Sequence, residues 1–430
     1  MAQQLFFSRD TKVYIKKGDF VWDLPVLDGF SFSQATNSSE ITLAEMEGTG
    51  GVSRRGRKQF NDSLAPAEWS FSTYVRPFTS AGSGTGAADS AAKVHAIEEV
   101  LWALFSGPAT YASSAFTNQT THSTDATVGL DIDFSESNKA TLGTADIFFV
   151  LGDANRKVYK LKDCVVNEAS LDFDIDGIAT INWSGMSSEI IDMTTKTHTT
   201  ATSGSVFPPA FDAHRNGGTV DIVAGDVVLN ATDAYRMSVV VDPTSSGTAT
   251  MTGAIYEATT ATDNFIRNRL TQLTVIPTAN TTYIGSLESA GYDITLTGGN
   301  ITMSNNVTFI TPEEIGLVNT PIGHVTGTRS VSGSMNCYLS KDTTANDNSA
   351  DLWEDLKSIT SVVTNSFALV FKIGGATGNT ARLEVNMPTC HLEIPTHSIE
   401  DVISVETAFN ALPSTIDGTN EVTLKYFPKA

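Results

Sequence analysis

The sequence predicts a mainly β protein: two tandem, similar β-sandwich or barrel units, each with one flanking α-helix, plus a small inserted β element. Three observations predict it. Apolar and polar residues alternate with period two in segment after segment, as in "EWSFSTYVRPF" (68–78) and "RSVSGSMNCYLS" (329–340), the mark of half-buried strands. Only 17% of residues are charged, and the Thr, Ser, Asn and Gly that fill the polar remainder suit strands and turns. The second half of the chain also repeats the plan of the first.

The repeat is clearest where "KVYKLKDCVVNEASLDFDIDGIATINWSG" (157–185) is set against "ARLEVNMPTCHLEIPTHSIEDVISVETAFNA" (381–411). Without gaps, Tyr159 meets Leu383, Leu161 meets Val385, Ile175 meets Ile399, Ile178 meets Val402 and Ile181 meets Val405. Each segment follows a continuous apolar run, "ADIFFVLGD" (145–153) or "SFALVFKIGG" (366–375). One helix precedes each run. In "DSAAKVHAIEEVLWALFSGP", Val94, Ile97, Leu101, Leu104 and Phe105 share a helical face. Asp89 or Ser90 caps its start and Gly107-Pro108 stops it. In "NSADLWEDLKSI" the face is Leu352, Leu356 and Ile359, capped by Asn348 or Ser349. Glu98 and Glu99 lie on this helix with one of them turned to solvent, and read as a solvated face rather than an acid–base pair. At the front of the two halves stand "LDGFSFSQA" (27–35) and "YDITLTGGNITMSNNVTFI" (292–310). The organisation predicted is therefore 1–193, a Thr/Ser linker and small β insert over 194–261, and 262–430. The insert proper occupies 206–260.

Composition narrows the function classes. Against 48 Asp+Glu stand 27 Lys+Arg, a net charge of −21, which does not suit a nucleic-acid binder that needs clustered cations. Cys164, Cys337 and Cys390 are too few and scattered for a disulfide framework, so a reducing compartment is expected. "MAQQLFFSRDTKVYIKK" does not read as a signal peptide, and no window approaches the ~18 apolar residues of a membrane span. No cofactor is expected. The Gly-rich "AGSGTGAADS" (81–90) follows a strand ending in Pro77 and lacks a βαβ unit, so a flexible linker outranks a dinucleotide loop. Dispersed histidines, and a Cys390-His391 pair whose side chains point to opposite strand faces, make poor metal ligands. Trp69, Trp102 and Trp353 sit in apolar patterns that suggest core.

Two charged features stand out. "SLDFDIDG" (170–177) opens like a calcium loop, with Asp172, Asp174, Asp176 and Gly177. The bidentate Glu such a loop needs at its twelfth position is Trp183 here. Leu171, Phe173 and Ile175 alternate with the acids, so the three carboxylates read as the wet face of a strand. "RRGRK", with Arg54, Arg55, Arg57 and Lys58, sits in the long loop "EMEGTGGVSRRGRKQFND" (45–62). It reads either as a solvated or disordered loop or as an arm that meets carboxylates on a neighbouring subunit, setting register more than affinity.

Taken together, the single helix "KVHAIEEVLWALFSG" between strands, the Gly- and Arg-containing loop ahead of "EWSFSTYVRPF", and the pairing of "TGGNITMSNNVTFITPEEIG" with "TGTRSVSGSMNCYL" resemble the tail tube (major tail) proteins of long-tailed bacteriophages, more closely the duplicated siphophage type. The likeness covers both halves but not the insert. It implies a structural virion protein, not an enzyme, whose sheets join side by side into rings that stack into a tube. A duplicated chain implies trimeric, pseudo-hexameric rings. It also implies contact with other tail proteins (tape measure, terminator, baseplate or tip), assembly in the bacterial host cytoplasm, and double-stranded DNA passing unheld through the lumen, with no membrane partner. An acidic, hydroxyl-rich lumen fits that role, since phosphates bind Lys and Arg strongly. Other classes considered are a tail terminator, decoration or adhesin module, and a glycan-directed hydrolase, which would need a placed pair of acids in a cleft.

Overall fold

The computed structural model describes residues 5–17, 20–42, 57–79, 94–107, 120–121, 129–134, 142–152, 157–192, 227–229, 234–237, 251–253, 264–277, 291–315, 319–341, 348–358, 367–375, 380–399 and 401–429. The alternating sequences form strands with one buried and one wet face, as period two requires. A 3-10 turn, Ser8–Asp10, leads into β1 (Lys12–Lys17), β2 (Phe20–Leu24), β3 (Ser31–Ser33), β4 (Thr36–Thr42), β5 (Arg57–Leu64), β6 (Ala67–Tyr74), β7 (Pro77–Thr79) and β8 (Val94–Ala96). Helix α1 (Glu99–Ser106) is followed by β9 (Thr120–Thr121), β10 (Leu130–Asp133), β11 (Ala145–Leu151), β12 (Lys157–Asp174), β13 (Thr180–Ser187) and β14 (Glu189–Asp192). The middle segment holds an antiparallel three-stranded sheet of β15 (Val227–Leu229), β16 (Ala234–Met237) and β17 (Met251–Gly253).

A second 3-10 turn, Asn268–Leu270, then leads into β18 (Gln272–Pro277), β19 (Tyr292–Ile294), β20 (Leu296–Ser304), β21 (Val307–Ile310), β22 (Gly323–Thr326) and β23 (Ser330–Tyr338). Helix α2 (Ser349–Ser358) precedes β24 (Phe367–Ile373), β25 (Arg382–Leu392), β26 (Thr396–Ile399), β27 (Ile403–Ala411) and β28 (Thr423–Phe427).

The strand pairings run in the same order in both halves. In the first, β1 pairs with β2 and β11, β11 with β12, β12 with β13 and β14, β13 with β6, β6 with β3, and β4 with β5. In the second, β18 pairs with β19 and β24, β24 with β25, β25 with β27 and β28, β27 with β23, β23 with β20, and β21 with β22. Cys164 and Cys390 hold like places. Each lies at a bulge, and each thiol donates to the carbonyl three residues earlier. The ungapped alignment, which puts Cys390 opposite Val166, therefore slips by two residues in this strand. A slip of two leaves every side chain on its own face, so the apolar pattern survives it. β12 also pairs with β20, and β10 with β28, which joins the two halves.

All residues of helix α1 are buried, Glu99 and Ser106 included, as expected of a core helix. Gly107, at φ 74°, ends it in the left-handed conformation that glycine adopts most readily. Its start differs from the sequence expectation. Val94–Ala96 is a strand paired with β7, and the helix begins only at Glu99. The proposed caps Asp89 and Ser90 lie outside the described residues. Glu98 and Glu99 are buried rather than solvated, at 0% and 2% exposure. Glu99 is stabilised there by the His95 ring nitrogen at 2.9 Å and the Ala96 amide at 3.3 Å. For α2 the predicted cap holds: Asn348 Oδ1 accepts from the Asp351 amide at 3.2 Å. Leu352 and Leu356 are buried, while Ile359 lies outside the described residues.

One continuous core runs through both halves. Trp69, Trp102 and Trp183 are buried in it, whereas Trp353 is half-buried and meets His397 edge-on at 4.6 Å. Trp183 donates to Thr73 Oγ1 at 3.0 Å, satisfying a buried indole with a buried hydroxyl.

Candidate assembly surface

The wet faces of the central strands combine into one surface. The order β3–β6–β13–β12–β20–β23–β27–β26 is antiparallel throughout. Register fixes which residues lie side by side. One row crosses Tyr74, Thr180, Asp172, Asn300, Ser334 and Ala408. The next crosses Ser72, Asn182, Ser170, Thr302, Ser332 and Asn410. The alternate residues between them point into the core: Thr73, Ile181, Leu171, Ile301 and Phe409 are all buried.

At the outward positions of β6, β13, residues 168–174 of β12, β20, β23 and β27 stand mostly Ser, Thr and Asn, with Tyr74, Met186, Tyr338, Ala408 and the carboxylates Glu68, Glu168, Asp172, Asp174 and Glu406, and no Lys or Arg among them. The polar groups are cross-linked along the rows. Ser31 and Ser70 share a hydrogen bond of 2.8 Å. Ser72 donates to Asn182 at 2.6 Å, and Asn182 donates to Asp172 at 2.9 Å. Ser170 and Thr302 lie 3.3 Å apart across the junction between the halves. Ser334 donates its amide to Asn300 Oδ1 at 2.8 Å. Such cross-strand pairs hold the side chains close to the sheet and keep the surface smooth.

The predicted acidic cluster is thus split. Asp172 and Asp174 lie on β12 and face solvent, as the alternation implies. Asp176 lies beyond the strand, in the turn before β13, where it meets Arg269 at 3.1 Å. Asp174 caps that turn by accepting from the Gly177 amide at 2.8 Å. The three acids have separate partners, and no three His, Cys, Asp or Glu gather as a metal would require among the described residues. The cationic loop is also corrected. Residues 57–64 are not loop but strand β5, paired with β4 in an exposed hairpin. Arg57 and Lys58 are exposed on that strand, and Arg57 meets Glu40 at 3.4 Å. Arg54 and Arg55 lie outside the described residues.

What single-strand reading missed was the breadth of the face. Its hydroxyl and amide members on β6, β13, β20 and β23 are legible as S-x-S or N-x-T alternation, but only pairing puts them beside Asp172. A cleft of about 290 Å³ beside β3 is lined by Ser31, Ser33, Glu68, Trp69 and Ser184, among others, with Glu68 the one carboxylate among its described lining residues.

The chain is 26% identical over 409 residues to the tail tube protein pb6 of Escherichia phage T5, spanning 95% of this chain and 71% of that protein. No family model matches. The relationship supports a structural tail tube role for this chain, that of a non-enzymatic virion protein of a bacteriophage.

Proposed function

We propose that copies of this chain close into rings through their sheet edges, and that the rings stack into a tail tube whose lumen is the polar face. The observation that carries this reading is that eight-strand surface, continuous across both halves and without a cation at its outward central positions. Lys and Arg would hold DNA phosphates in proportion to their number, whereas carboxylates and bound hydroxyls leave a duplex mobile.

Geometry favours three copies. Strands spaced ~4.8 Å apart give each eight-strand sheet an arc of roughly 38 Å. Three arcs make a circumference of ~115 Å and a bore of ~37 Å between backbones, before strand tilt widens it. Two would leave ~24 Å, most of which facing side chains would fill. The recurring pairings support a duplicated chain of units 1–193 and 262–430, so a trimer presents six like units. The segment 194–261 is an insertion that decorates the outside. The chain is placed in the virion tail after assembly in the host cytoplasm, with tape measure, terminator and baseplate or tip proteins as neighbours. The hairpin that carries Arg57 and Lys58, with Arg54 and Arg55 in its connection, reaches the adjacent ring. Negative-stain microscopy of purified protein tests this. Stacked rings or tubes are expected, and a strictly monomeric species at high concentration would overturn it.

A further inference from the structure

The joint between the two halves is made inside the chain and has an unused counterpart at the chain's extremes. At the made joint, β12 pairs with β20, Asp172 opposite Asn300 and Ser170 opposite Thr302. The segment ahead of the second 3-10 turn lies along the β12–β13 tip. Ile266 accepts from the Ala179 amide at 2.9 Å, Asn268 donates to the Gly177 carbonyl at 3.1 Å, and Arg269 meets Asp176 at 3.1 Å. Phe265 stands edge-on to Tyr74 at 5.4 Å.

Register identifies the counterparts. Lys12 faces Val150 as Gln272 faces Lys372, so Leu5, Phe6 and Arg9 stand where Phe265, Ile266 and Arg269 stand. Ser31 faces Ser70 as Asn300 faces Ser334, so β3 is the counterpart of β20. Thr180 faces Asp172 as Ser404 faces Ser398, so β26 is the counterpart of the end of β12. Tyr338 is the counterpart of Tyr74. These residues are uncovered. Ile266 is 0% exposed but Phe6 is 42% exposed, and Tyr338, Val402 and Ile403 at the β26–β27 end are also open. Among the described residues, β26 pairs only with β27, and β3 only with β6.

We propose that the same joint forms between copies of this chain. β26 of one copy adds to β3 of the next, with Ser398 opposite Ser31 and Thr396 opposite Ser33. Leu5–Arg9 of that next copy lies along the 401–403 tip of the first, placing Phe6 against Ile403, Leu5 against Tyr338 and Arg9 beside Asp401. The inference rests on the ring reading and gives it a register. Unpaired strand edges are templates for such addition, and the apolar arm covers what would otherwise be an exposed apolar tip.

The test is oxidative cross-linking of the full chain carrying Ser31→Cys and Ser398→Cys, whose three native cysteines are buried. Assembled protein is expected to give covalent multimers that neither single variant gives. Separately, Arg9→Glu or Asp401→Arg alone should reduce assembly about tenfold, and the double variant should restore it. If the wild type forms rings but Ser31/Ser398 gives no multimers and the double swap no rescue, the joint is wrong and the tube reading survives. If the wild type forms no rings, the tube reading itself fails.

Discussion

The Trp102 indole donates to the Tyr426 hydroxyl at 2.6 Å, with both side chains fully buried. This contact ties α1 of the first half to β28 of the second. Replacing Tyr426 by Phe removes the acceptor and leaves a buried N–H without it. A loss of about 1–3 kcal/mol is expected. Urea unfolding should show a lower midpoint with an unchanged slope. An unchanged midpoint would mean that the bond adds nothing.

Glu98 lies beside the same contact. Burial pushes its carboxyl up from 4.5 to about 7, against the pull of the Tyr426 hydroxyl and the Arg76 guanidinium. The folded chain therefore holds this proton more tightly than the unfolded one. The stability it brings is full below about pH 4.5 and is lost as pH rises through about 7. Glu98→Gln should remove that part of the decline. Melting temperatures from pH 5 to 8 should fall less steeply in the variant, and parallel slopes would show that Glu98 carries no such proton.

The acids of the proposed lumen give a charge test. Wild-type protein should not retain duplex DNA in a mobility-shift assay at ~50 mM salt, whereas Asp172→Lys with Asp174→Lys should retain it and release it by ~200 mM. Retention by both, or by neither, would show that the charge of this face does not control DNA contact.

Calcium provides a separate check. Asp174 is engaged with the Gly177 amide, so calorimetry should register no calcium heat. Asp174→Ala should cost about 1 kcal/mol, as loss of a capping acceptor does. Tight calcium binding that this substitution abolishes would contradict the strand reading of the acids.

The cationic hairpin makes a prediction about growth. Changing Arg54, Arg55 and Arg57 together to Ser should leave single rings intact and shorten the tubes seen by microscopy. Tubes of normal length would remove these cations from ring stacking.

Much of the fold is legible because period two survives local error. Leu171 and Phe173 announce their inward face, and Asp172 and Asp174 their outward one, whatever the exact register. The start of α1 is not legible, because Val94 and Ile97 fit a helical spacing while Val94–Ala96 is claimed by pairing with β7. Long-range pairing overrode local pattern there. The burial of Glu98 and Glu99 is equally hidden, since it depends on His95, Arg76 and a tyrosine more than 300 residues away. The polar face was legible strand by strand, through Ser70 and Ser72 or Ser332 and Ser334, but its extent depends on β12 meeting β20.

The central claim is that the β12–β20 face lines the bore of a tube. A reconstruction from electron micrographs of assembled protein tests it most directly. The account predicts a tube wall with Asp172, Asn300 and Ser334 on the inner surface and β26 of one copy against β3 of the next. Tubes with these residues on the outside, or packed against a neighbouring ring, would contradict it.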